Sequence, residues 1–128
     1  MGQDWYADVY AFHEKFGCVI GEAPAPPDEK TAELRLRLIA EEHEELKRAH
    51  DEGDLPGVAD ALTDMIYVIL GTAISYGIDL RPVWDEVQRA NMAKTGGGTR
   101  DDGKILKPEG WTPPDIDQVL AEQHPAEA

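Results

Sequence analysis

The chain holds 128 residues, enough for one domain with a modest core and too few for two. Twelve basic residues against twenty-six acidic ones give a formal charge of −14, a surface that repels phosphate backbones and excludes nucleic acid and anionic membrane as partners. Cys18 is the single cysteine, so no intrachain disulfide is expected, and the start MGQDWYADVY lacks the basic and apolar regions of a signal peptide. The expected location is the cytoplasm.

Residues 4–16 predict a first helix, with Trp5, Val9, Phe12 and Phe16 at three- and four-residue spacing. The proline-rich segment 21–30 must be an extended linker. A second helix is expected over about 28–52, stopped by Gly53, and a third over about 56–77. From Met65 onward that third helix is apolar on all sides and needs covering all round, which predicts burial against another subunit. The apolar run Met65 to Ile78 is 14 residues, too short to span a bilayer. Leu80-Arg81-Pro82 opens a fourth helix over about 81–94, where Val83 and Val87 begin a stripe that Asn91 and Lys94 finish. Gly96-Gly97-Gly98 then breaks regular structure, residues 101–116 show no period, and fraying is expected beyond about 119. These elements predict an all-α helical bundle of about four main helices, completed by dimer or tetramer packing, with an irregular C-terminal tail. The single domain would comprise an N-terminal helix (1–20), the linker (21–30), the core helices (31–95) and the tail (96–128).

Two acidic clusters carry the chemistry. Glu41, Glu42 and Glu45 form E-E-x-x-E on the second helix, within an arc of about 100°, and Asp60 and Asp64 form D-x-x-x-D on the third, within about 40°. Leu34, Leu38 and Ala49 share the first arc; Tyr67, Val68 and Gly71 continue the second. Glu-rich helices are commonly solvated, but these five carboxylates lie on apolar stripes. Pointed inward they repel one another and lose hydration, so a cation must compensate. Mg²⁺ or Mn²⁺ fits all-oxygen ligands best, and two or three ions per site are the expectation. A di-iron bundle is disfavoured, because no Glu has a His three residues on.

Asn91 and Lys94 share a helix face and suit a sugar or a phosphate. Lys104 and Lys107 follow the triglycine, with Trp111 and Pro113-Pro114 as anchors, which suggests a phosphate-covering flap; a docked tail is the plainer alternative. Among the histidines, His13 is expected either to pack beside Phe12 and Phe16 or to contact a bound base. His43 is expected at a core or interface, and His50 and His124 in solvent.

The runs L-I-A-E-E-H-E-E-L, V-A-D-A-L-T-D-M-I-Y-V-I-L-G-T-A, N-M-A-K and D-G-K-I-L-K-P-E-G-W-T-P-P-D-I, over about residues 34–116, resemble the MazG-like all-α nucleotide pyrophosphohydrolases. The small phage and bacterial branch similar to phosphoribosyl-ATP pyrophosphohydrolases fits best. The resemblance implies a dimer or tetramer that cleaves a nucleoside triphosphate between the α and β phosphates in a bacterial cell, the gene being bacterial or phage-borne. It implies Glu41, Glu42, Glu45 and Asp64 as metal ligands and Asp60 as a further ligand or acceptor. Either Glu41 or Glu42 would be the general base. Lys94, Lys104 and Lys107 would meet the pyrophosphate, with Asn91 and His13 on the rest of the nucleotide. Most relatives carry E-x-x-D on the third helix, whereas Ala61 stands three before Asp64 here and Asp60 takes the acidic role one residue earlier. Overall similarity favours dGTP or GTP as substrate. The alternatives are dUTP within the same family, or a non-catalytic acidic helical interaction module.

Overall fold

Asp4 starts the first helix by accepting a hydrogen bond from the Ala7 amide at 2.9 Å, and Gly17 ends it in the left-handed region at φ 70°. The computed structural model describes residues 3–123, and among these it holds α1 (Trp5–Phe16), α2 (Glu29–Asp51), α3 (Leu55–Ser75), α4 (Leu80–Met92) and α5 (Ile116–Glu122), with no strand beyond an isolated Thr99–Ile105 bridge. The all-α expectation holds, and the four main helices begin and end within about two residues of their predicted bounds. The short α5 stands where the sequence predicts an irregular, fraying tail. Asp115 creates it, accepting from the Gln118 amide at 3.1 Å immediately after Pro113-Pro114. The chain divides into two compact units after Asp79, one carrying α1 to α3 and the other α4 and α5.

In the first unit α3 is the central element, packed on both α2 and α1. Only three residues, Glu52 to Asp54, separate α2 from α3, so the two run antiparallel. Asp54 caps α3 through the Gly57 amide at 3.0 Å. The linker after α1 is stitched to the end of α3. Gly21 donates to the Ile74 carbonyl at 2.9 Å, Ala25 to that of Tyr76 at 3.0 Å, and Ser75 Oγ to that of Val19 at 2.9 Å. A Cβ on Gly21 would stand 2.8 Å from the Gly77 Cα, so this crossing admits no side chain.

Of the predicted stripe Trp5, Val9, Phe12 and Phe16 only Val9 is buried, and it shares the buried line of α1 with His13, each 2% exposed. Trp5, Phe12 and Phe16 remain exposed, with Phe12 against Phe16 at 4.7 Å and edge-on to Tyr67 at 5.5 Å. Aromatic spacing thus marks an outward face of α1. On α3 the buried residues are Ala61, Gly71, Ala73, Ile74 and Ser75, while Leu62, Ile66, Tyr67 and Ile69 are 37–46% exposed. The whole of α3, longer than its apolar run, has the length and composition of a membrane-crossing helix. It nevertheless packs as the core helix of this unit and carries two aspartates.

A charged residue lies deepest on α2. Arg35 is 7% exposed, its Nη2 donating to the Val68 carbonyl at 2.9 Å and its Nε to Thr72 Oγ1 at 3.3 Å. His13 donates from Nδ1 to the Val19 carbonyl at 3.0 Å. Gly71 makes room for both, since a Cβ there would meet Arg35 and lie 2.8 Å from His13 Nε2. Burial holds the proton affinity of each below its ordinary value; Arg35 lowers that of His13 further, and Cys18 partly opposes the shift on Arg35. Arginine retains its charge regardless.

In the second unit the tail is docked on α4. Trp111 Nε1 donates to the Ala90 carbonyl at 2.6 Å, and Glu86 pairs bidentately with Arg89 at 2.9 and 3.0 Å. Glu86 also accepts from the Asp115 amide at 2.7 Å, while Arg89 reaches the Pro113 carbonyl at 3.3 Å. The hydrogen bonds from Arg89 and Asp115 hold the Glu86 carboxyl well below its ordinary range, at about 2.

Candidate active site

Near the turn that joins α2 and α3, small side chains leave space between the two helices. Ala49, Gly57 and Ala61 lie along a cleft of about 600 Å³, the size of a small-molecule site. Around it stand Glu41, Glu42, Glu45, Asp60 and Asp64, together with Glu52, Asp54 and Arg48. The structure therefore brings both predicted acidic clusters into one cleft.

Their orientation differs from the inward-pointing arrangement predicted from the stripes. Glu41, Glu45, Asp60 and Asp64 are exposed and Glu42 is half-buried. The stripe that meets α3 runs through Arg35, Leu38, Glu42 and Ala49, so Glu42 lies on it while Glu41 and Glu45 flank it. Leu34, placed on the acidic arc by its spacing, is 44% exposed. Water thus reaches the carboxylates, which reduces the cost of gathering them without removing it. Partial burial raises the proton affinity of Glu42, and Asp64, Glu45, Asp60 and Glu41 each raise it further. Glu42 is the electrostatic centre of the group.

Among the described residues no three acidic, histidine or cysteine side chains stand close enough to share one ion as they lie. The donor set nevertheless suits a hard divalent cation. It is all oxygen, and it is crowded enough for each of four neighbours to disfavour ionisation of Glu42. Asp54 is less free, with one oxygen engaged in capping α3.

The predicted substrate-binding residues divide between the two units. His13 is sealed between α1 and the Arg35–Gly71 contact and does not line the cleft, which fits the packing reading. Asn91, Lys94, Lys104 and Lys107 belong to the second unit. There the ammonium groups of Lys94 and Lys107 stand 5.3 and 5.2 Å from the Trp111 ring centroid. Asn91 and Lys104 are exposed. His43, expected at a core or interface, is exposed in this chain, as is His50; His124 lies outside the described residues. Arg48 went unread in the sequence although helical spacing puts it one turn from Glu45. Glu52 and Asp54 belong to the interhelical turn, whose path no periodicity reveals.

The profile of the phosphoribosyl-ATP pyrophosphohydrolase family matches residues 9–91, about two thirds of the chain. No curated protein matches the chain. The matched stretch contains α2, α3 and all five clustered carboxylates. Sequence match, all-helical fold and acidic cleft agree: the chain belongs to the phosphoribosyl-ATP pyrophosphohydrolase family, within the MazG-like all-α nucleoside triphosphate pyrophosphohydrolase superfamily, and the activity of that family is pyrophosphohydrolysis.

Proposed function

We propose that the protein is a metal-dependent nucleoside triphosphate pyrophosphohydrolase, splitting a (d)NTP into the monophosphate and pyrophosphate. The observation that carries this reading is the gathering of five carboxylates from α2 and α3 on one cleft, with Glu42 feeling the other four. Glu41, Glu42, Glu45 and Asp64 would hold Mg²⁺ or Mn²⁺, with Asp60 as a further ligand or acceptor. Bound divalent cations would offset the triphosphate charge and acidify a water. Glu42 is the better candidate of the two adjacent glutamates for general base, because partial burial and the neighbouring carboxylates strengthen its hold on a proton. Lys94, Lys104 and Lys107 are the proposed partners of the departing pyrophosphate, from whichever copy of the chain supplies them, and Asn91 that of a sugar or phosphate.

dGTP or GTP is the first substrate proposed, ahead of dUTP. The test is a panel of dNTPs, NTPs, dUTP and phosphoribosyl-ATP, assayed for pyrophosphate with Mg²⁺ or Mn²⁺. The expected result is monophosphate and pyrophosphate in equal amounts, fastest from dGTP and abolished by a chelator. Release from none of them would overturn the proposal.

Self-association belongs to the same reading. Phe12 and Phe16 on α1, with Leu62, Ile66, Tyr67 and Ile69 on α3, leave apolar surface for a second copy. Ile69→Glu should shift sedimentation equilibrium from dimer or tetramer to monomer; a wild-type chain that is monomeric at micromolar concentration removes this part.

A further inference from the structure

Arg48 is the one cationic side chain lining the cleft among the described residues, against seven acidic ones. Its Nη1 donates to Glu45 Oε1 at 3.1 Å. The two side chains are 60% and 56% exposed, so this is a weak pair that opens readily. The preceding cation, Lys47, pairs instead with Asp51 at 3.3 Å, and neither of these lines the cleft. One turn of α2 has therefore sorted its two positive charges, one onto the site and one away from it.

Arg48 contacts one oxygen of Glu45, and a divalent cation taking that carboxylate would repel the guanidinium at such short range. Arg48 is tethered one turn along the same helix and lines the cleft, so it would remain within reach of it after giving up that carboxylate. Its planar donors match phosphate oxygens two at a time, which a carboxylate-lined cleft otherwise cannot do.

We infer that Arg48 is the displaceable counter-ion of this cleft: it holds Glu45 while metal is absent, and it transfers to phosphate oxygens of the polyphosphate ligand when metal takes Glu45. The inference rests on the metal-dependent reading proposed above. Arg48 is then both a brake on metal binding and a ligand for the charge that metal brings in.

The test compares Arg48→Met with Lys47→Met, which removes the same charge one residue away, both in the full chain with folding checked by thermal melting. Manganese affinity without nucleotide, read by electron paramagnetic resonance, should be about two- to fivefold tighter in Arg48→Met than in Lys47→Met, the range an exposed ion pair can exert. Inorganic pyrophosphate binding at saturating Mn²⁺, read by calorimetry, should be about tenfold weaker in Arg48→Met, as expected for lost charge-assisted hydrogen bonds. Arg48→Lys should fall between, keeping the charge and losing the fork. Equal manganese affinity in the two methionine variants overturns the inference alone, as does undiminished pyrophosphate binding. A wild-type chain that binds no manganese overturns the metal reading of the cleft and the inference with it.

Discussion

Two places on the same pair of helices treat charge in opposite ways. At one, Arg35 is buried against α3 without a carboxylate, its guanidinium held by the Val68 carbonyl and the Thr72 hydroxyl beside neutral His13. At the other, seven acidic side chains gather round an open cleft with a single arginine among them. A lone buried charge is tolerable when dipoles of fixed backbone and hydroxyl groups surround it, and no buried side-chain polar atom among the described residues lacks a partner. A crowd of like charges is tolerable only where water or a ligand can reach it. The first arrangement fixes three helices; the second leaves electrostatic energy that ligand binding can release.

Removing a carboxylate sharpens this contrast most. Glu45→Gln should cut pyrophosphate release roughly 10²-fold or more, within the range for loss of one group of a preorganised site. Glu42→Gln should be as inactive, yet melt slightly higher than wild type without metal, because it removes a carboxylate disfavoured by partial burial and by four like-charged neighbours. A wild-type rate in either variant at saturating Mg²⁺ would detach the cleft from catalysis. The buried place should answer in the other currency, stability. Gly71→Ala forces a Cβ between Arg35 and His13 and should cost about 1–3 kcal/mol in urea unfolding, with specific activity of the folded fraction changed far less.

Acid should separate the two places again. Burial lowers the proton affinity of His13 in the folded chain below its ordinary value of 6.5, so the unfolded chain binds that proton more tightly. The contribution of neutral His13 is complete above pH 6.5 and is lost as the pH falls below it. His13→Gln should flatten the change in urea midpoint between about pH 7.5 and 5.5; an unaltered slope would assign the acid sensitivity to other groups. The smallest effect is expected in the second unit. Lys107→Glu removes one of two cations beside Trp111 and should weaken pyrophosphate binding by more than the 0–1 kcal/mol or so of an exposed pair only if that lysine touches the ligand.

The helices and the five carboxylates were legible because both depend on short-range spacing: apolar positions three and four residues apart, a stop at Gly53, and i, i+3 and i+4 acidic positions. What spacing cannot provide is the direction a face takes in space. It grouped Trp5, Phe12 and Phe16 with Val9 on one stripe of α1, where the structure buries Val9 and His13 and leaves the three aromatic side chains exposed. It also left Arg35 unread, because a buried cation is satisfied by partners some 33 and 37 residues away on another helix. Likewise α5 depends on one capping aspartate in a tail with no period.

The docking of Trp111 has a spectroscopic consequence. Trp5 and Trp84 are 53% and 71% exposed, whereas Trp111 is half-buried with its ring nitrogen bonded to the Ala90 carbonyl. Its indole should therefore contribute the short-wavelength side of the emission band. Release of the tail from α4 would move that component alone toward the red, so a chain with Trp5 and Trp84 replaced by phenylalanine would report, in its own fluorescence, whether this region stays seated during turnover.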